Sequence, residues 1–457
     1  MSIEDNNLNS EELRILTEQD DPSIREYFAG VAHAADIIEF FRHVKLQEWP
    51  RLLRLIEDRD QRAEVVSGLD RGEWNKLLSL LTPKEIADVI RELETDDAAD
   101  LLADVPLAER MDALRMLSPK ERLQVSQLMR YPEDCAGGIM QLELAVVQEN
   151  QAISEAIKKV RQLVEDDVDV WSVLVVDQNA RLVGTLALVD LILNKETARV
   201  ADIMDREVVS VKPLLDQEKV AALFKKYGLI TVPVVDDDDH ILGRIVIDDV
   251  VDVVTEEAEE DALHMAGTTA QELLYEGAIF TTARIRFPWL GVALCCSLVS
   301  GFLLHFFEGT FEQAVILLTF LPVITAMGGN VGTQSATLVI RGFATGKFDL
   351  SDMPKFLFKE LRIGLLLGLV YGVFAGIVGI IFYTDHNIYF GLVVCISMAC
   401  AMATAALSGV IAPSLLKRLG VDPAIASGPF VTTMNDITGI IIYLAVAGFF
   451  LAKLPVG

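Results

Sequence analysis

Residues 322–342 read PVITAMGGNVGTQSATLVIRG, and residues 420–439 read GVDPAIASGPFVTTMNDITG. Both are apolar stretches broken by small and polar residues, which a plain membrane anchor does not need. In the first, Pro322 frees a carbonyl and the glycines let helix backbones approach closely. Asn330 and Gln334 are four apart, so they share a face if the helix continues through them. In the second, Asp436 follows Asn435 and lies 14 residues after Asp422, about 21 Å along a helix axis. A carboxylate at that depth costs several kcal/mol unless it meets water, a cation or a partner. No Lys or Arg lies inside an apolar stretch, so no internal salt bridge is expected. The plain reading is a protonated structural Asp; the favoured one is a carboxylate lining a cation path. Magnesium takes oxygen ligands and keeps much of its water. Asp436, the hydroxyls of Thr432 and Thr433 and backbone freed near Gly428–Pro429 supply oxygen, and no His or Cys cluster favours a softer metal.

Five stretches are long enough to cross a bilayer, near 287–307, 314–340, 363–384, 389–416 and 423–452. Arg284 and Arg286 precede the first. Arg341, Lys347, Lys355, Lys359 and Arg362 join the second to the third, and Lys417 and Arg418 join the fourth to the fifth. The opposite connections carry Glu308, Glu312 and Asp385; only Lys453 breaks the bias. The positive-inside rule therefore places the N-terminal domains in the cytoplasm and the C-terminus outside, in a multi-pass cell inner (plasma) membrane protein. Charge divides at the same place. Residues 1–280 hold 29 Lys/Arg and 59 Asp/Glu, a net of -30, and residues 281–457 hold 10 and 8, a net of +2. An acidic soluble head on a membrane body argues against nucleic acid, which needs a basic face, and suits either a solvated surface or one that takes cations. The five cysteines form no CxxC pair, so neither a disulfide framework nor a thiolate zinc site is expected. The polar, acidic N-terminus has no signal-peptide pattern.

The head divides further. Residues 1–22 are expected to be a disordered tail. Residues 23–131 carry short amphipathic segments such as LLSLLTPKEIADVIREL, with Thr82-Pro83 and Ser118-Pro119 as matching helix starts. These predict a superhelix of repeated hairpins. From Ser172, SVLVVDQNARLVGTLALVDLIL repeats as TVPVVDDDDHILGRIVIDDVVDVV from Thr231, pairing Asp177 with Asp236, Gly184 with Gly243 and Asp190 with Asp249 at an offset of 59. Each copy is strand, turn, strand and helix start after a helix (153–164 and 216–227), a unit that resembles a CBS domain. The two units, 132–200 and 201–258, resemble the paired CBS module, which binds nucleotides or ions and often dimerises. ATP is therefore a candidate ligand, with no contact residue assignable. A connecting helix over 259–283 follows, and Glu256, Glu257, Glu259, Glu260 and Asp261 crowd one or two turns across its start, where like charges repel. The transmembrane domain then occupies 284–457.

In order and over almost its whole length, the chain resembles the MgtE magnesium transporter family, most specifically in the two motifs from Pro322 and Gly420. The resemblance implies a helical superhelix N-domain, tandem α/β CBS domains and an all-α bundle of five transmembrane helices. It implies a homodimer with the pore on its axis, transporting Mg2+ and regulated by it. Asp436 then matches the pore ligand and Asp422 an acid near the cytoplasmic gate. Ions that hold the head closed at high cytosolic magnesium match Asp216, Glu218, Asp249 and Asp252 in the second CBS unit. Their counterparts are Glu257, Glu260 and Asp261 on the connecting "plug", and Asp96 and Asp100 in the N-domain, with Asp97 an alternative. The chain departs from the family at Lys225, Lys226 and Gly228, where an acidic ligand can stand, and at Gly428, where an amide can.

The competing reading is a secondary transporter for magnesium, cobalt or manganese coupled to protons or sodium, with Asp436 as the coupling group. A receptor that merely anchors a CBS pair has no need of polar residues inside its spans. An enzyme is not indicated, since neither a Ser/His/Asp or Cys/His set nor HExxH occurs. His240 and His264 read as surface residues rather than ligands.

Overall fold

The computed structural model describes residues 21–30, 33–165, 168–269, 279–307, 317–382, 387–426 and 428–450. The expected tail up to residue 20, Glu308, Glu312, Asp385, Lys453 and the 270–278 part of the plug lie outside the described residues. The chain forms two units, residues 1–254 and 255–457.

The first unit opens with short helices: α1 (Asp21–Gly30), α2 (Ala34–Arg42), α3 (Trp49–Leu55), α4 (Arg59–Ser67), α5 (Arg71–Leu78), α6 (Pro83–Ile90), α7 (Thr95–Asp104), α8 (Leu107–Met116) and α9 (Pro119–Leu128). Asp21 and Pro22, which the sequence reading places in the tail, instead form the first turn of α1, where Asp21 pairs with Arg51. Thr82 and Ser118 cap α6 and α9 as expected, each in a reciprocal capping box (with Glu85 and Glu121) followed by proline. The repeat also shows in side chains. Trp49 donates its indole N–H to the Phe41 carbonyl and Trp74 to that of Val66, both eight residues back. Arg25, Arg42, Arg54, Arg62 and Arg71 each reach 30 to 33 residues forward, to Glu57, Glu73, Glu85, Glu92 and Asp104. The rungs thus join successive turns of one superhelix.

The repeat at offset 59 folds as two matching hairpins. Strand β2 (Ser172–Val176) pairs antiparallel with β3 (Leu182–Ala187) and carries β1 (Val146–Gln148) parallel on its other edge; β4 (Thr231–Val235) pairs with β5 (Ile241–Val246). The register slips at Val175/Val176 in one hairpin and Val234/Val235 in the other. Ala180 and Asp239, again 59 apart, take the left-handed conformation that closes each turn. The lead-in segments are exchanged: Gln141, ahead of the first hairpin, pairs with Arg244 of the second, while Asp205, ahead of the second, pairs with Thr185 of the first. Helices α10 (Ile153–Glu165), α11 (Leu188–Leu193) and α12 (Gln217–Tyr227) accompany the hairpins, and the exchange carries Gln141 to the start of α13 (Ile247–Ala266), a single helix that leaves the second hairpin and runs through the acidic stretch.

The second unit contains α14 (Ile279–Phe306), α15 (Leu317–Ala344), α16 (Met353–Phe382), α17 (Ile388–Arg418) and α18 (Gly428–Phe450). Among the described residues α16, α17 and α18 are long and apolar enough to cross a membrane; α14, bent by 46° between Pro288 and Leu290, counts as a fourth if its two halves are one span. α15 has the length but carries the polar GGNVGTQS run. Gly364, Gly368, Gly372 and Gly376 recur every fourth residue along α16. A Cβ on any of them would come within 2.6 to 2.8 Å of α17 backbone, so the two helices pack main chain to main chain. Gly332 and Gly409 do the same for α15 and α17: a Cβ on Gly409 would overlap the Gly332 carbonyl oxygen.

Candidate cation sites

In the first unit the acidic start of α7 faces the acidic start of α13. Both helices carry carboxylates in their first turn, where the peptide dipoles favour them. Gln141 stands between. Its amide donates to Glu94 Oε2 at 2.6 Å and Asp249 Oδ2 at 3.2 Å, and its carbonyl accepts from Arg244 at 3.3 Å. Beside it, Thr95 donates to Glu143 at 2.9 Å and accepts from the Leu142 amide. Among the described residues Arg244 is a single buried cation beside Glu94, Asp96, Asp97, Glu143, Asp248, Asp249 and Asp252.

That imbalance shows in the carboxyls. Burial, then the facing Asp249, holds Asp96 well above the usual carboxylate range. Burial followed by Asp248, Glu94 and Asp97 pushes Asp249 up to about 8. Burial followed by Asp252 and Asp248 takes Asp97 to about 6, and burial followed by Glu143 and Asp97 takes Glu94 to about 7, although part of Glu94 still reaches solvent. Asp252 is raised by burial and Asp248. Asp96 is only 7% exposed, and its Oδ1 has no hydrogen-bond partner. An orphaned, buried carboxylate oxygen among like charges lacks a positive partner. The surrounding donors are all oxygen, which suits a hard divalent cation. Among the described residues no group of three or more His, Cys, Asp or Glu side chains is placed to hold a metal ion. The arrangement is one of facing acids.

Several of the acids expected from sequence therefore meet here. Asp96 opposes Asp249, and Asp97, the alternative, opposes Asp252. Asp100 lies one turn beyond Asp96 on α7. Glu94, Glu143, Asp248 and Gln141 are not among the residues that sequence alone singles out. The lead-in exchange brings Gln141 there, and a local reading of the chain carries no signal for it. Asp216 is the N-cap of α12 (Gln217–Tyr227), accepting from the Lys219 amide, with Glu218 in the first turn. At the other end of α12, Gly228 is the left-handed C-cap, which accounts for one departure from the family pattern.

In the second unit the end of α13 meets the segment before α18. His264 Nδ1 lies 3.1 Å from Asp422 Oδ2, and its Nε2 lies 3.6 Å from Glu260 Oε1. Only 16% of the His264 side chain is exposed, which corrects the expectation of a surface residue: the imidazole is wedged between two of the expected acids. Asp422 also accepts from the Ala424 amide at 2.8 Å. Burial and Asp422 raise Asp261, with His264 opposing them. Glu257 is half-buried one turn earlier on α13. His240 stays at the surface, bonded to Asp236.

The polar residues of α15 and α18 converge. Thr333 and Thr432 bring their hydroxyls to 3.5 Å, and a Cβ on Gly329 would lie 3.3 Å from Thr432 Cγ2. Asn435 is buried, accepts from Ser408 at 2.6 Å and packs so tightly on Gly332 that a Cβ there would overlap its amide. Asn330 and Gln334 are both exposed on one face of a continuous α15. Thr433 is turned back to the Phe430 carbonyl and buried, so Thr432 is the hydroxyl on the open side. Asp436 is half-buried, one turn after Thr432. The depth of 21 Å requires an unbroken helix from Asp422. Residues Pro423–Ala426 are instead a 3-10 turn and α18 starts at Gly428, which leaves Asp436 about 12 Å into its helix. A buried acid also lies in this unit: Glu360 of α16 is 3% exposed, accepts from Ser335 at 2.8 Å and leaves its Oε1 without a partner.

Three family models match this chain in the same order: the MgtE intracellular N domain over residues 32–134, a CBS domain over 200–256 and the MgtE divalent cation transporter domain over 321–446. The magnesium transporter MgtE of Thermus thermophilus is 36% identical over 94% of this chain and 96% of its own length. The chain belongs to the MgtE magnesium transporter family. MgtE of Bacillus subtilis is 31% identical over 92% of this chain and 97% of its own length. The cytosolic domain of the Mg2+ channel MgtE, solved in complex with ATP, matches with a TM-score of 0.51 at 34% identity, covering 54% of this chain and all of that one. The soluble part of a magnesium transporter matches at 0.50 and 30%, covering 55% of this chain and all of that one. MgtE proteins are divalent cation transporters, not enzymes, and this chain has their N domain, CBS domains and apolar helices.

Proposed function

We propose that this MgtE is a channel-like homodimer that takes hydrated magnesium into the cytoplasm and closes when cytosolic magnesium is high. The observation that carries the gating half is the set of acids facing across α7 and α13, with the buried, unpartnered Asp96 Oδ1 at its centre. Facing carboxylates repel when cation-free, and a divalent ion turns that repulsion into a bridge. Each ion biases the arrangement by its differential affinity for the two states. Asp96, Asp97, Asp249 and Asp252 would hold such ions in the head. Glu257, Glu260 and Asp261 on α13 and Asp422 ahead of α18 would carry closure to the gate. Asp216, Glu218 and Asp100 are proposed as outlying members of the same system.

Asp436, with Thr432 beside it and Asn330, Thr333 and Gln334 on α15, is proposed to line the path, its carboxylate accepting water from the hydrated ion. These polar groups lie open in a single chain of an apolar unit, which supports a second copy and a water-filled axis. Its basic connections support an inner-membrane location with the C-terminus outside. ATP is proposed for the CBS pair by likeness to the ATP-bound relative.

Magnesium current in excised patches tests the whole reading. Wild type conducts at low cytoplasmic magnesium and closes at high magnesium, and Asp436→Ala abolishes the current. Uptake that needs a proton or sodium gradient, without voltage-driven current, would instead establish the coupled carrier.

A further inference from the structure

The two faces of α16 differ. The glycine ladder packs on α17. On the other side Phe358, Leu366, Leu369, Val373 and Ile377 are all exposed and recur at helical spacing. The most apolar window of α16 is 28% buried, against 67% for α17, so this stripe lies open in a single chain. Lys355, Lys359 and Arg362 stand at i, i+4 and i+7, on the same face, at its N-terminal end. Like charges at that spacing repel, and their neutralisation within the unit is thin. Lys355 has Asp352 at 3.9 Å. Lys359 lies 5.2 Å over the Phe356 ring and Arg362 4.1 Å over that of Phe358. The adjoining carboxylate, Glu360, is turned to the opposite face, where Ser335 holds it. The rings fix the cations at the level where the apolar stripe begins.

We propose that the first three turns of α16 bind the phosphate of an anionic phospholipid, its acyl chain lying along the Phe358–Ile377 stripe. The proposal rests on the membrane reading above, with this end of α16 on the cytoplasmic side. The planar fork of Arg362 matches phosphate oxygens, while Lys355 and Lys359 act as point charges. A lipid fits better than an acidic protein surface because charge and apolar stripe are continuous on one helix face. A carboxylate-rich partner would satisfy the cations and leave the stripe beneath them unmatched.

The test is native mass spectrometry of the purified full-length protein from mixed micelles holding equal phosphatidylglycerol and phosphatidylcholine. Wild type retains phosphatidylglycerol. Removing two cations in Lys359→Gln/Arg362→Gln lowers that retention about 25-fold, about fivefold per cation, and leaves phosphatidylcholine unchanged. Millimolar inorganic phosphate does not displace the lipid. Equal retention of the two lipids, an unaffected variant, or full displacement by inorganic phosphate overturns the proposal. So does a variant whose lipid retention is intact while its cytoplasmic magnesium set point moves, since the cations then serve the acidic head. Magnesium flux from the same preparations in liposomes checks the transport reading separately: flux without lipid preference overturns only the lipid site.

Discussion

Asp249→Asn should stabilise the cation-free protein. In the wild type this carboxyl is driven from 3.8 to about 8, which disfavours its ionised form by about 6 kcal/mol. Asn keeps an oxygen for the Gln141 amide, which now bonds Asp249 Oδ2 at 3.2 Å, so the change removes charge and little else. Asp249 is not fully buried and shares the crowding with Glu94 and Asp97. The gain is therefore a fraction of that figure, about 1–2 kcal/mol. For a unit of this size it appears as a rise of about 2–8 °C in the melting temperature. Fluorescence melting of the full chain in detergent with chelator measures it, because Trp49 and Trp74 are buried in the N-domain helices. The pH dependence has a definite sign. These carboxyls titrate higher in the fold than in the open chain, so their contribution is complete below about pH 4 and is lost as pH rises through about 6 to 8. Cation-free wild type should melt progressively lower from pH 5 to pH 8, and the variant should show a flatter slope. Magnesium should raise the wild-type melting temperature more than that of the variant. A variant that melts lower in chelator, or shows the full magnesium-induced rise, would refute the reasoning.

Ser335→Ala leaves the buried Glu360 without the donor that now holds it, at a cost of about 3 kcal/mol. Glu360→Gln costs less, and equal thermal melting of Ser335→Ala and wild type counts against this account. Gly409→Ala forces a methyl into the Gly332 carbonyl oxygen and should destabilise by about 1–3 kcal/mol. Gly448→Ala, which meets open space, is the matched control and should melt no lower than wild type. His264→Ala removes the contact with Asp422, raising the magnesium needed for half-closure about fivefold, the equivalent of about 1 kcal/mol; an unchanged set point in patch recordings would remove His264 from the gate.

Much of this architecture is legible locally. The Thr82-Pro83 and Ser118-Pro119 starts, the hairpins 59 residues apart and the shared face of Asn330 and Gln334 all follow from short-range rules and recur in the fold. What is not legible depends on long-range return of the chain. Gln141 reaches Asp249 only because the lead-in strands exchange, and nothing near Gln141 in sequence announces it. His264 reads as a surface residue until the segment before α18 folds back onto α13. The depth of Asp436 is overestimated for a related reason: apolar composition runs straight through 423–428, yet the backbone changes there from a 3-10 turn to a new helix. Glu360 escapes notice because it sits between Lys359 and Arg362, where composition suggests only a basic connection.

The arginine rungs of the N-domain have a mechanical consequence. Arg25, Arg42, Arg54 and Arg62 each join one turn of the superhelix to the next, and Arg71 also reaches Glu133, so the stiffness of the rod is set largely rung by rung. The Arg25, Arg42 and Arg71 guanidiniums are close to half exposed, within reach of screening by monovalent salt. Monovalent salt then lowers the bending modulus of the rod, whereas on the gating proposed above a bound divalent ion would clamp its end. A rod in higher salt yields more easily to a given load, so on that proposal the force that a bound divalent ion would transmit through the N-domain varies with the ionic strength around it.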